Sequence, residues 1–172
     1  PYVIYSGRRE PLKGTPMLLD YMNAFRSRTC RDVKLVVTGS GPMNVPPDLV
    51  QHALDTGFLD EKEKLDAMAG AVAFCHPSRN ESFSIVIMES WLAGTPVLVT
   101  AGSEVMRYHC RKSNGGLWFR SYPEFEEELS LLLDNAELRT ALGRSGQEYV
   151  LREYSWQTIR GKLFTALDAN VP

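Results

Sequence analysis

Short apolar, β-branched runs alternate along the chain with longer segments in which apolar positions recur at helical spacing. The runs Tyr2–Ser6, Lys34–Thr38, Asp55–Phe58, Ala71–His76, Pro96–Thr100 and Leu117–Phe119 are brief and mostly apolar, as strands covered on both faces are. Between them the spacing predicts helices at Pro16–Ser27, Glu61–Ala69, Ser84–Ala93 and Glu104–Cys110. Three more follow at Glu124–Asp134, Glu137–Arg152 and Trp156–Asp168, the last with Ser155 as its N-cap. Pro16 suits a first helical turn, where its fixed φ is already right and a missing donor goes unnoticed. Such alternation predicts an α/β fold: a doubly wound parallel sheet of about six strands with helices on both faces. No repeat or flexible linker interrupts it, so residues 1–172 read as a single domain with a helical ending.

Composition narrows the function classes. With 44% hydrophobic and 23% charged residues, the chain has ordinary globular usage, and at 172 residues it can bury about 70% of its unfolded surface. A net charge of -2 without a basic block disfavours a nucleic-acid partner. Apolar runs such as Ile85–Met88 fall far short of the ~20 residues that span a bilayer, and no signal or transit segment is visible. Cys30, Cys75 and Cys110 are too few and too dispersed for a disulfide framework, which points to a reducing, cytoplasmic setting. Zinc held by Cys75-His76 and His109-Cys110 is the sharper alternative, but adjacent ligands strain the wrap that structural zinc needs. The chain opens on Pro1 and enters a strand at once, so it reads as a piece cut at a domain boundary.

In open parallel sheets ligands gather beyond the carboxyl ends of the strands, which directs attention to the turns there. The first, Gly7-Arg-Arg-Glu-Pro-Leu-Lys-Gly14, brings Arg8 and Lys13 onto one stiff loop, either as a phosphate trap or as a solvated basic loop. The order Lys13-Gly14-Thr15 is not a P-loop, and Gly39-Ser-Gly41 carries Asn44 where a dinucleotide fingerprint needs its third glycine. A helix beginning near Ser84 offers the free amides of Ser84, Ile85 and Val86 as an anion site. Glu89 has Ile85, Val86, Leu92 and Ala93 as helical neighbours, so its carboxylate needs a polar partner from elsewhere. That partner is either an arginine of the fold or the hydroxyls of a ligand. Glu81 precedes the helix, as a ligand contact, a loop charge or a cap.

Gly7-Arg8 with Lys13-Gly14, Leu35-Val-Val-Thr-Gly39-Ser-Gly41-Pro42, Gly57-Phe-Leu59, Glu81 and Glu89 in an E-x7-E spacing, and Ala93-Gly-Thr-Pro-Val97 occur in this order. From about Tyr2 to Trp156 the set resembles the C-terminal half of retaining glycosyltransferases of family 4, which have the GT-B fold. The resemblance implies one Rossmann-like half of such an enzyme. It implies that Arg8 and Lys13 bind the diphosphate of a UDP-, GDP- or ADP-sugar, that Glu81 lies near the transferred sugar, and that Glu89 binds the ribose. Catalytic roles are thereby implied for Glu81, Arg8 and Lys13. Gly39 and Gly41 join the donor site, Phe58 and Leu59 frame the nucleobase, and the amides of Phe83, Ser84, Ile85 and Val86 hold phosphate and sugar. Many members have glycine where Ser84 stands, so the serine narrows the space beside the phosphate.

The same resemblance implies that no metal is required, the cations and helix amides replacing a divalent ion at the leaving diphosphate. The acceptor site belongs to an N-terminal domain outside these residues, toward which the helix over 154–172 is expected to pack. Any contact with the inner face of a membrane would run through that domain. The fragment alone is expected to lack transferase activity. The alternatives are a nucleotide-sugar epimerase-like GT-B enzyme and a non-catalytic nucleotide-binding module.

Overall fold

The computed structural model describes residues 1–168. Six strands, β1 (Tyr2–Ser6), β2 (Lys34–Thr38), β3 (Ala53–Gly57), β4 (Ala73–His76), β5 (Val97–Thr100) and β6 (Gly116–Phe119), form one sheet in the order β3-β2-β1-β4-β5-β6. All five pairings are parallel. The helices are α1 (Thr15–Thr29), α2 (Glu61–Ala69), α3 (Ile85–Leu92), α4 (Glu104–Ser113), α5 (Tyr122–Asp134), α6 (Ala136–Tyr154) and α7 (Trp156–Asp168). This is the expected doubly wound sheet, and its order reverses between β1 and β4, where such folds open a crevice.

Alternation along each strand divides the apolar residues between two cores. Val3, Tyr5, Leu35 and Val37 point to one face, where Leu18, Met22 and Phe25 of α1 and Phe125, Leu129 and Leu132 of α5 cover them. Ile4, Phe74, Val97 and Val99 point to the other, against Met68 of α2, Ile87 and Trp91 of α3, Met106 of α4 and Tyr149 of α6. Trp91 is fully buried and its indole N–H donates to the Gly115 carbonyl at 2.8 Å, which fixes α3 over the sheet. Each fully buried Leu, Ile, Val or Phe contributes about 1.5–3 kcal/mol.

Several boundaries move, each for a local reason. The third strand begins at Ala53 and ends at Gly57, so Phe58 lies outside it. As an edge strand it is not covered on both faces, and Leu54 is exposed. The α4 helix runs on to Ser113 and stops where Asn114 turns left-handed. The closing helix is capped by the Ser155 hydroxyl, which accepts from the Thr158 amide at 3.3 Å. It buries none of its residues, leaving Trp156, Leu163 and Phe164 exposed. The portion 169–172 of the expected closing helix lies outside the described residues.

Candidate functional site

The loop after β1 carries the first cations over the carboxyl edge of the sheet. Pro11–Lys13 make a 3-10 turn that closes on Gly14 at φ +74. A Cβ on Gly14 would stand 2.6 Å from the Pro77 carbonyl oxygen, so this loop rests directly on the loop after β4. That contact sets Lys13 Nζ 2.7 Å from Glu81 Oε1. Arg8, 68% exposed, pairs with Glu10 at 3.0 Å. Its neighbour Arg9 points inward, which nothing in the local sequence marks. The Arg9 guanidinium is clamped on the Asp55 carboxylate of β3 and donates to the carbonyls of Gly39 and Gly41 at 2.9 and 3.0 Å, tying three strand ends together.

The loop after β4 supplies the other wall. His76, buried at the end of the strand, places Nε2 3.1 Å from Glu81 Oε1. Burial alone would raise the Glu81 pKa. Hydrogen bonds from His76 and Lys13 overcome it and hold this carboxyl at about 2, so it is ionised across the physiological range. The chain then turns through Ser84, at φ 65 and ψ 65, into α3. Ser84 is therefore the residue before the helix rather than its first member. Ile87 N–H bonds the Ser84 carbonyl at 3.1 Å, while Ile85 and Val86 sit where helical amides have no acceptor below them. One turn on, Glu89 accepts from Lys64 of α2 at 2.7 Å. The required polar partner exists, but it is a lysine rather than an arginine, and the Glu89 side chain is 26% exposed rather than enclosed.

Arg8, Lys13, Glu81, Ser84, Ile85, Val86 and Glu89 all line one cavity of about 380 Å³ between the ends of β1 and β4. Tyr5 and His76 line it too, and neither was expected. A second hollow of about 270 Å³ shares Arg8 and holds Gly39, Phe58, Leu59 and Lys64, with the Phe58 ring at its rim 86% exposed. Gly41 sits against Arg9 and lines neither hollow, and Phe83, expected for its amide, turns its ring edge-on to His109 and Tyr154. Gly39 has a second, structural reason: at φ +120 its Cβ would fall 2.1 Å from the Gly7 carbonyl oxygen.

Of the residues that reasoning missed, His76 carried one signal, a polar side chain ending an otherwise apolar strand. Lys64 and Arg9 carried none, because their partners lie far away in sequence. The two Cys/His pairs serve separate ends: Cys75 and Cys110 fill opposite cores, His76 meets Glu81, and His109 bonds the Tyr149 hydroxyl at 2.9 Å. Among the described residues no group of three His, Cys, Asp or Glu could hold a metal ion, and no helix is long and apolar enough to cross a membrane.

Chemically, two cations, helix amides and two carboxylates at one strand-end crevice suit a ligand that is anionic at one end and hydroxylated at the other. The chain is similar to proteins named as glycosyltransferases. It is 30% identical to the D-inositol 3-phosphate glycosyltransferase of Corynebacterium glutamicum, covering 94% of this chain and 41% of that protein. It is 31% identical to the phosphatidyl-myo-inositol mannosyltransferase of Mycobacterium leprae, covering 94% and 44%. The chain thus spans less than half the length of these relatives. Among solved structures, sucrose-phosphate synthase from Thermosynechococcus elongatus superimposes with a TM-score of 0.79 at 22% identity, over 99% of this chain and 46% of that one. HepE of Anabaena, solved with UDP-glucose, gives 0.78 at 17% identity over 98% and 48%. Residues 1–149 match the family described as glycosyl transferases group 1, and the chain belongs to that family.

Proposed function

We propose that this chain is the donor-binding domain of a retaining GT-B glycosyltransferase, of family 4, which transfers a sugar from a nucleoside-diphosphate sugar. One observation carries the reading: Arg8, Lys13, Glu81, Glu89 and the start of α3 converge on a single cavity at the switch point of the sheet. In this reading Lys13, Arg8 and the amides of Ile85 and Val86 take the diphosphate and stabilise it as a leaving group without a metal. Glu81, the first carboxylate of the E-x7-E motif, accepts from the sugar's hydroxyls, and Glu89 from the ribose. The hollow at Phe58 and Leu59 takes the base, and a uridine donor is favoured by the UDP-glucose held in HepE. An N-terminal domain supplies the acceptor site, and the exposed apolar residues of α7 support its packing there. The enzyme works on the cytoplasmic side, and this chain by itself transfers no sugar.

Calorimetric binding of UDP, GDP and ADP and of their glucose or mannose conjugates tests the reading. At least one pair binds, Lys13→Ala weakens it by about 10-fold or more, and Glu89→Ala lowers the preference for nucleoside diphosphate over pyrophosphate. Absence of binding by every nucleotide refutes the donor role.

A further inference from the structure

Lys13 and His76 both reach Oε1 of Glu81, and they differ in what a ligand can do to them. Lys13 Nζ reaches Oε1 at 2.7 Å from a flexible stem on a surface turn, its side chain 25% exposed. His76 Nε2 reaches the same oxygen at 3.1 Å, its side chain 4% exposed. The His76 ring stacks on Tyr5 at 5.9 Å and on Phe74 at 5.6 Å between centroids, with interplanar angles of 22° and 23°. It therefore has no freedom to follow a ligand. Its Nδ1 is buried without a partner. Facing a carboxylate, the imidazole carries a hydrogen on Nε2 and donates it to Glu81.

Lys13 also lines the same cavity as Ile85 and Val86 at the start of α3, where a diphosphate would meet the helix amides. A phosphate that draws Lys13 to itself removes one of the two contacts on Oε1 and brings a second anion beside the carboxylate. We propose that His76 is a positioning residue: its fixed N–H keeps the Glu81 carboxylate aimed into the cavity while Lys13 passes to a phosphate, so that Glu81 stays available to a sugar hydroxyl. The inference rests on the donor reading and deepens it, because it assigns the sugar-specific part of the affinity to a side chain that acts through Glu81.

The test compares UDP, GDP and ADP with UDP-glucose, GDP-mannose and ADP-glucose, and reads the ratio of conjugate to diphosphate affinity for the pair that binds. His76→Phe keeps the ring stacking and loses the donor, and His76→Gln restores an N–H toward Glu81. The Phe variant is expected to lose about tenfold in that ratio while its diphosphate affinity stays within about twofold, and the Gln variant to recover most of the ratio. In a Glu81→Gln background His76→Phe should change the ratio no further. Should the Phe variant fail to fold, His76→Asn, whose amide is too short to reach Glu81, takes its place.

A ratio unchanged in the Phe or Asn variant overturns the proposal, as does an equal loss of diphosphate and conjugate binding in the donor-free and the Gln variants, which marks a structural role. Equal wild-type affinity for diphosphate and conjugate overturns it as well. Wild-type chain that binds none of these nucleotides refutes the donor reading and the positioning role together, whereas the other outcomes leave the donor reading standing.

Discussion

Replacing Ser84 by glycine is expected to make the protein more stable, which few substitutions at a buried position do. Ser84 sits at φ 65 and ψ 65, a left-handed conformation that costs a residue with a side chain about 1 kcal/mol. It is 7% exposed, and its Oγ is buried without a hydrogen-bond partner, a further penalty of about 1 kcal/mol. Ser84→Gly removes both terms. Against them stands the larger freedom of glycine in the unfolded chain, about 0.5–1 kcal/mol. The balance is about 1 kcal/mol in favour of the variant, equivalent to a rise in Tm of about 2–4 °C for a chain of this length. Urea unfolding followed by far-UV circular dichroism measures it, as a shifted midpoint with an unchanged slope. Ser84→Ala discards the hydroxyl, keeps the backbone strain and escapes the glycine entropy, so its expected gain is also about 1 kcal/mol. A glycine variant no more stable than wild type would refute the strain argument, and an alanine variant no more stable than wild type would refute the hydroxyl's part in it.

Other expectations follow from the same geometry. Glu128 has its pKa pushed up to about 7, first by burial and then by Glu124 and Glu127, and its Oε2 is buried without a partner. Because the folded value lies above the ordinary 4.5, the group's contribution is full below that pH and is lost as pH rises through 7. Glu128→Gln should therefore gain about 1 kcal/mol over wild type at pH 8 and nothing at pH 4, the full shift being discounted for solvent reaching the carboxylate; parallel Tm-versus-pH curves would contradict this. Gly39→Ala drives a Cβ to 2.1 Å from the Gly7 carbonyl oxygen and should lose about 3 kcal/mol or more, so an unaltered urea midpoint would show that the two loops do not meet as described. Arg9→Met should cost about 3 kcal/mol by stranding the carbonyls of Gly39 and Gly41, while Arg8→Met, on a side chain 68% exposed, should stay within about 0.5 kcal/mol; denaturation midpoints that rank the two the other way reverse their assignment.

The fold was legible because each strand is short, apolar and followed by a helix with its own period, so that local signals and global topology agree. They fail at β3, where an edge position removes the demand for apolar residues on both faces, and the pattern loses its meaning. The site was legible where chemistry is concentrated in a few residues of one loop, as in Arg8 to Lys13 or Glu81 to Glu89. It was not legible where a partner arrives from another element. Nothing near Lys64 in the sequence marks it for Glu89, and nothing near Arg9 distinguishes it from Arg8. Adjacent arginines on a loop point to opposite sides, and only the depth of the sheet edge decides which is buried. The glycine expected at Ser84 shows the reverse case: a residue type noted as unusual turned out to mark a backbone conformation.

The cations of the cavity and its neighbouring hollow are each matched by a carboxylate of the chain: Arg8 by Glu10, Lys13 by Glu81 and Lys64 by Glu89. This sets a threshold for any ligand. A neutral sugar offers only hydroxyls, which cannot separate Lys13 from a carboxylate at 2.7 Å. A diphosphate brings more charge than the carboxylate it displaces and adds bonds to the α3 amides, which no side chain in the cavity occupies in its place. Because Lys13 and Lys64 are only partly buried, their pairs with Glu81 and Glu89 are weak enough to exchange and strong enough to hold both carboxylates in place beforehand. Because Lys13 and His76 both hold Oε1 of Glu81, Oε2 keeps its lone pairs for a sugar hydroxyl, and a phosphate that draws Lys13 away frees a place on Oε1 as well, so the phosphate end of the proposed donor widens what its sugar end can reach.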